Sequence, residues 1–440
     1  MEKEIDEYEL HKCVFNNDLK KLTQILKAKR EIIDKKDIHG NTALYIATAT
    51  GRLEFVCILL KYEATVNIKN VNGWTPLSEA ISFGNRQLIE VILKKLKEQT
   101  RKSLTKRKES LKVALNQIDD FYMEVKWEFC SWVPLISKIL PNDVCKIYKS
   151  GSKIRLDSTL IDFNEMKWER GDITFLFCGD NDNSMITALD NDAKCYQYVR
   201  TQESEVEIQD EIDLLMMSDI VTANFSTKNV SFTQVKTGWF FREDKKETIA
   251  GQYKCDLYHV NGLTLEQKKR REHLNRDDLL KNKTSIVDSL TAKSSIVVDP
   301  NIEIPRRTSL SPLQNRNITW EEYINSEPGN YPALAREIVF KRSQKQLKAT
   351  ISMCSDFPLS LDTLLNVFEV IAPLKHFSKL RDFISLKLPK GFPISIHIPI
   401  IPTVGAKITF TDFEFRSNIS PELFNVPEDY TLDESRFPDL

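Results

Sequence analysis

The chain has 440 residues, 41% hydrophobic and 28% charged, with 62 Lys and Arg against 63 Asp and Glu for a formal net charge of −1. The length fits two to three domains, and the near-neutral balance argues against a dedicated nucleic-acid binder. The polar, acidic start Met1-Glu2-Lys3-Glu4 argues against a signal peptide, and no run of eighteen apolar residues is long enough to cross a bilayer, so a cytosolic protein is expected.

The first hundred residues carry a repeat. GNTALYIA starts at Gly40 and GWTPLSEA at Gly73, 73 − 40 = 33 residues later. The register continues: Gly51 matches Gly84, and Leu59-Leu60 matches Ile92-Leu93. Gly40 and Gly73 suit a turn with positive φ. Thr42 and Thr75 stand where a hydroxyl caps a helix, with Pro76 at the first helical position. This period and octet resemble the ankyrin repeat, a turn followed by two antiparallel helices. Leu10-His11-Lys12-Cys13, Asp18-Leu19 and Ile25-Leu26 form a weaker upstream copy without the glycine turn, as a capping repeat would. Three repeats over residues 1–100 are expected.

Residues that vary among ankyrin proteins lie on the turn tips and first helices. Here they are Ile38, His39, Asn41, Ala49, Thr50, Val71, Asn72, Trp74, Ser82 and Phe83. The expected partner-binding set is Ile38, His39, Asn41, Thr50, Val71, Asn72, Trp74 and Phe83, with Trp74 and Phe83 as aromatic anchors. The plainer reading has Trp74 packing on a neighbouring turn.

Lys94 to Lys112 holds nine basic residues against Glu98 and Glu109, a local net of +7. It reads as a solvated helix in a basic linker over 101–126, with contact to an anionic membrane leaflet as the sharper alternative. Ala114 to Lys126 reads as helix. Strands are expected over Lys153 to Phe163, Asp172 to Cys178, Ala193 to Thr201, Val230 to Arg242 and Gln252 to Val260, as in an antiparallel meander. Asp180-Asn181-Asp182-Asn183 reads as a turn, since the glycine and distal glutamate of a calcium loop are missing. Gln202 to Asp219 carries seven acidic residues and no basic ones, with apolar residues that suggest a half-buried helix or strand. Lys268-Lys269-Arg270-Arg271 could serve as a nuclear-import signal, although such runs are commonly exposed helix faces.

Residues 276–318 are polar and aperiodic and read as a disordered insert. Within it Arg306-Arg307-Thr308-Ser309 fits a phosphorylation site for a kinase that reads basic residues, with Ser309 as acceptor, and Ser311-Pro312 follows. Thr319-Trp320-Glu321-Glu322 looks like a capped helix start. Leu347 to Cys354 alternates like a strand. Ser360 to Ile371 and Lys375 to Phe383 read as helices broken at Pro373. Ile394 to Ile398 and Val404 to Phe410 alternate as strands, and Pro399 and Pro402 suggest an edge strand or a turn between them.

Chemistry-bearing motifs are absent. None of the eight cysteines forms a C-x-x-C pair and the six histidines are scattered, which argues against zinc. There is no nucleophile elbow and no phosphate loop, so no catalytic residue, metal, cofactor or small-molecule substrate is expected.

The runs Asp120 to Leu135, Met166 to Phe177, Thr237 to Arg242, Lys268 to Leu274 and Gly391 to Phe410 resemble the ankyrin repeat domain-containing protein 13 family. The match covers nearly the whole chain outside the insert. It implies a receptor-chaperone domain over 127–275 and 319–440, in an α+β chain that opens with an ankyrin-repeat helical solenoid and continues in a mainly antiparallel β domain with flanking helices. Most members end in ubiquitin-interacting helices. These are lacking in this sequence, which aligns it with the C-type branch. That resemblance implies a non-enzymatic chaperone, peripheral on the cytoplasmic face of the endoplasmic reticulum membrane, that retains newly made G-protein-coupled receptors. The alternative is a trafficking or scaffold adaptor linking membrane cargo to other machinery.

Overall fold

The computed structural model describes residues 8–131, 140–164, 167–178, 186–199, 203–226, 229–237, 243–279, 306–311, 318–361, 365, 388–401 and 404–437. The chain divides into two compact units. The first comprises Met1–Ser103, Gln202–Asn224 and Gln267–Ser343, and the second Leu104–Thr201, Phe225–Glu266 and Gln344–Leu440.

In the first unit three helix pairs follow the repeat. They are α1 (Glu9–Phe15) with α2 (Leu19–Ala28), α3 (Ala43–Ala49) with α4 (Leu53–Lys61), and α5 (Pro76–Phe83) with the start of α6 (Arg86–Asn116). The caps are those the octet predicts. Thr42 Oγ1 accepts the Tyr45 N–H at 3.2 Å, Thr75 Oγ1 accepts the Ser78 N–H at 3.3 Å, and Pro76 opens α5. Gly40 has φ +73°, and a Cβ there would come within 2.9 Å of the Val71 backbone nitrogen, so both the turn and the close stacking of the next turn require glycine. Leu22, Leu44, Val56, Leu59, Ile89 and Ile92 are buried between the helices. Burial of each such side chain contributes about 1.5–3 kcal/mol.

Two further pieces of chain complete this unit. Helix α7 (Glu205–Met217), capped by Ser204 and Glu207, buries Ile212 and Met216 in the same core. Helix α8 (Trp320–Ile324), capped by Thr319 and Glu322, buries Trp320 and Tyr323 there.

The second unit is built on one long sheet. The strands of the chain are β1 (Phe121–Ser131), β2 (Asn142–Ser150), β3 (Lys153–Asn164), β4 (Lys167–Cys178), β5 (Ile186–Asp190), β6 (Cys195–Tyr198), β7 (Ile220–Ser226, mainly in the first unit), β8 (Ser231–Gln234), β9 (Lys236–Thr237), β10 (Glu243–Asp244), β11 (Lys246–Ile249), β12 (Tyr253–Arg270), β13 (Phe340–Cys354), β14 (Phe392–Ile401), β15 (Val404–Phe415) and β16 (Thr431–Leu432). The order is β11-β12-β13-β14-β15-β1-β2-β3-β4-β5-β6-β16, while β9 and β10 form a separate pair. The described ladders are antiparallel except β16 on β6. Phe121, Met123, Ile147, Ile154, Ile351, Ile394, Ile396 and Phe410 fill its main core.

The fold class expected from the sequence is the one observed, with several local corrections. Ala114 to Lys126 is not one helix: α6 ends at Asn116 and β1 begins at Phe121. Apolar residues at 114, 115, 118, 121 and 125 mimic a helical period, but Phe121, Met123 and Val125 alternate into the sheet core. The edge-strand reading of the last pair also fails, because β14 lies between β13 and β15. Pro399 sits instead at a register shift opposite Gly405, where the missing N–H is tolerated. The compact units also depart from the expected boundaries, since Gln267–Ser343 groups with the ankyrin helices. The expected turn at Asp180, the helix over 375–383, most of that over 360–371, and residues 280–305 and 312–317 of the expected insert lie outside the described residues.

Candidate protein-binding site

The face formed by the repeat tips and first helices is the candidate site, and the chain itself occupies it. Tyr323 from α8 is fully buried there. Its hydroxyl donates to Asp37 Oδ2 at 2.5 Å and accepts from Asn41 Nδ2 at 2.8 Å. Burial, reinforced by Asp37, holds the phenol pKa well above its ordinary value, so Tyr323 stays a neutral donor. His39 Nδ1 accepts the Gly329 N–H at 3.1 Å, which fixes the tautomer, and Nε2–H donates to the Tyr323 carbonyl at 2.9 Å. Asn72 Nδ2 donates to the Gly329 carbonyl at 2.7 Å. Three of the side chains expected to read a partner, His39, Asn41 and Asn72, are thus engaged by residues 323–329.

A second network lies alongside. Tyr331 donates to the Tyr45 hydroxyl at 3.2 Å, and Tyr45 donates to Glu79 Oε1 at 2.7 Å. Arg270 Nη1 reaches the same Glu79 oxygen at 2.5 Å, and Arg270 Nε donates to Glu272 at 2.7 Å. Burial alone would lower the Arg270 pKa, but the Glu79 and Glu272 carboxylates outweigh it and hold the guanidinium above its usual value. Burial, with help from Glu79, pushes the Tyr331 phenol up to about 12. A small cleft lies here, lined by Ser82, Phe83, Tyr331, Leu334 and Arg336 among others.

These contacts correct the expected anchors. Trp74 is 1% exposed, with the Arg270 guanidinium 4.9 Å from its ring centroid and Phe340 at 6.3 Å. Phe83 is half-buried, its ring closed against Gly51. His39 and Asn41 are buried, Thr50 is half-buried and bonded to the Ile46 carbonyl, and Ala49 and Ser82 are buried. Of the expected set, Ile38 and Val71 remain exposed, at 37% and 55%. The exposed-anchor expectation fails because the large side chains of this face found partners within the same chain.

The basic quartet is corrected too. Arg270 ends a strand, fully buried; Lys268 donates to the Asn72 carbonyl, and Lys269 and Arg271 both pair with Asp219. It is neither an exposed helix face nor a free basic signal. The two opposite charge runs also meet: Lys97 pairs with Glu203 at 2.5 Å and Glu211 at 2.6 Å, and Lys94 with Glu205 at 3.0 Å. That pairing neutralises part of the surface read as a lipid contact. Ser309 is exposed, and its hydroxyl oxygen accepts the Arg86 N–H at 2.9 Å.

Tyr323, Tyr331 and Glu79 were not singled out from sequence as site residues, and Arg270 only as part of the basic quartet. The available signals were Trp320 and Tyr323 three apart behind a helix cap, and a glutamate inside the GWTPLSEA octet.

Comparison with known proteins decides the lineage. The ankyrin pattern described as three copies matches residues 10–103, and the pattern described as ANKRD13 C-terminal matches residues 155–435. The chain belongs to the ankyrin repeat domain-containing protein 13 family. It is 50% identical over 98% of its length to ankyrin repeat domain-containing protein 13C of Homo sapiens, covering 79% of that protein. It is 49% identical over the same share to the 13C protein of Danio rerio, covering 88% of it. Identity to ankyrin repeat domain-containing protein 13B of Homo sapiens is 33% over 96% of the chain, covering 70% of that protein. Family membership makes it a protein-binding ankyrin-repeat protein, and its partners are proteins.

Proposed function

We propose that this family member is a non-enzymatic chaperone that binds newly made G-protein-coupled receptors at the cytoplasmic face of the endoplasmic reticulum and delays their exit while they fold. The observation that carries this reading is the extent of the similarity to the 13C proteins, about half identical over an alignment that spans 98% of the chain and so reaches well beyond the repeats. Since residues 323–331 fill the usual ankyrin face, client contact falls to the exposed tips at Ile38 and Val71 or to the sheet unit. No described helix is long and apolar enough to cross a membrane, so attachment through clients is the reading we favour.

The test is co-expression with a glycosylated receptor. The receptor should co-purify with the chain after mild crosslinking and keep its immature, endoglycosidase-sensitive glycans longer. Unchanged receptor maturation with no co-purification would overturn the reading. Co-purification with unchanged maturation would favour the scaffold adaptor, the alternative that the ankyrin repeats themselves support.

A further inference from the structure

We propose that Ser309 is a conditional phosphorylation site, shielded by Asp210 and Asp213 of helix α7 together with Asp278, which compete with a kinase for the two arginines that mark it.

Residues 306–311 form a strap on the first unit. Leu310 donates its N–H to the Gly84 carbonyl at 2.8 Å, and its side chain occupies the space a Cβ on Gly84 would need. Arg307 grips Asp278 with both terminal nitrogens, at 2.8 and 2.7 Å, and donates its backbone N–H to Asp213 Oδ1 at 2.9 Å. Arg306 pairs with Asp210 and, at 3.1 Å, with Asp213. Arg86 donates its backbone N–H to Ser309 and its guanidinium to the Arg307 carbonyl at 2.9 Å.

A kinase that selects serines preceded by arginines places those arginines on its own carboxylates and lays the chain out extended. It aligns the serine hydroxyl with the γ-phosphoryl group of ATP. Here Asp210, Asp213 and Asp278 already hold both arginines, and the Ser309 oxygen is engaged by an amide. Ser309 is therefore exposed as a residue yet closed as a substrate. When the strap lets go, both conditions are lifted together. The kinase then transfers the γ-phosphoryl group to Ser309 Oγ. The new P–O bond forms as the bond to ADP breaks, and the hydroxyl proton leaves to the kinase's base. Phosphate on Ser309 thus records that the strap was released.

The experiment incubates the full chain, and a peptide of residues 303–314, with ATP and the catalytic subunit of cyclic-AMP-dependent kinase, and follows Ser309 by mass spectrometry. The peptide should be modified at least tenfold faster than the full chain. Asp210→Asn with Asp213→Asn should raise the full-chain rate several-fold. Leu310→Ala, which loosens the strap without touching α7, should do the same relative to a peptide carrying that change. Thermal midpoints of both variants show whether the fold is kept. Equal rates for peptide and full chain would overturn the shielding. Folded variants that stay as slow as the wild type would overturn the competition, and an unmodified peptide would overturn Ser309 as acceptor.

Discussion

Arg270 and Glu79 are 191 residues apart in sequence and form a buried pair at 2.5 Å, with the arginine side chain fully inaccessible. Removing one member leaves the other charged in a dry site. Glu79→Gln or Arg270→Met should each cost about 3–5 kcal/mol, whereas combining Glu79→Leu with Arg270→Met is expected to recover only part of it, because Glu272 then lacks Arg270 and the Tyr45 hydroxyl lacks Glu79. Urea unfolding of the first unit, followed by hydrogen exchange in α3 and α5, checks this. Single variants within about 0.5 kcal/mol of wild type, the range of an ordinary surface change, would show the pair to be incidental.

Trp74 and the exposed tips should separate folding from binding. Trp74→Ala removes a ring packed under Arg270 and should cost about 3–5 kcal/mol. Ile38→Asp with Val71→Asp lies on exposed positions and should leave the melting temperature nearly unchanged. If the tips contact a client, the paired change lowers its capture. Unaltered capture would move the contact to the sheet unit.

Tyr323→Phe takes a donor from Asp37 and an acceptor from Asn41 in a buried site. The expected loss is about 1–3 kcal/mol, read as a lower denaturation midpoint. Asp37→Asn with Tyr323→Phe should lose less than the sum of the single changes, because the two groups share one bond. Strict additivity would contradict the geometry.

Two histidines set a pH dependence. Burial holds His11 and His273 below the ordinary imidazole value of 6.5, although Asp37 near His11 and the Ser218 carbonyl on His273 partly offset it. The unfolded chain therefore binds these protons first as pH falls. Stability of the first unit should be intact above about pH 6.5 and decline toward pH 5, before most carboxylates titrate. His273→Gln should flatten that decline. A first unit more stable at pH 5 than at pH 7 would contradict the assignment.

The membrane attachment proposed above can be tested with washes. Charge attraction is screened to a Debye length of about 3 Å at 1 M salt. Because Lys94 and Lys97 are paired with Glu203, Glu205 and Glu211, high salt should leave much of the protein on membranes and carbonate should release it. Complete release by salt alone would favour a lipid contact.

What the sequence made legible was local. Gly40, Thr42, Pro76 and Gly84 announce their turns and caps within a few residues, and Thr319 with Glu322 does the same for α8. The strands of Leu347 to Cys354 and of the last hairpin show in their alternation. β1 was hidden because Phe121 and Val125 satisfy a helical period as well as a strand period. The filled ankyrin face was illegible for another reason. Its contacts join Asp37 to Tyr323 and Asn72 to Gly329 across 286 and 257 residues, and no local pattern encodes such pairings. Phe83 closes against Gly51 of the preceding repeat, and Trp74 is covered by Arg270 and Phe340 once a later segment arrives, so neither serves as the exposed anchor.

That arrival takes time during synthesis. The three repeats leave the ribosome long before Tyr323 does, and at about 5–20 residues per second the interval is on the order of tens of seconds. Until then Asp37 and Asn41 lack Tyr323, and the Tyr45–Glu79 pair lacks Tyr331 and, at first, Arg270. A nascent chain stalled before Trp320 therefore presents an open ankyrin face that the finished protein no longer offers, and cellular chaperones or early partners meet it only then.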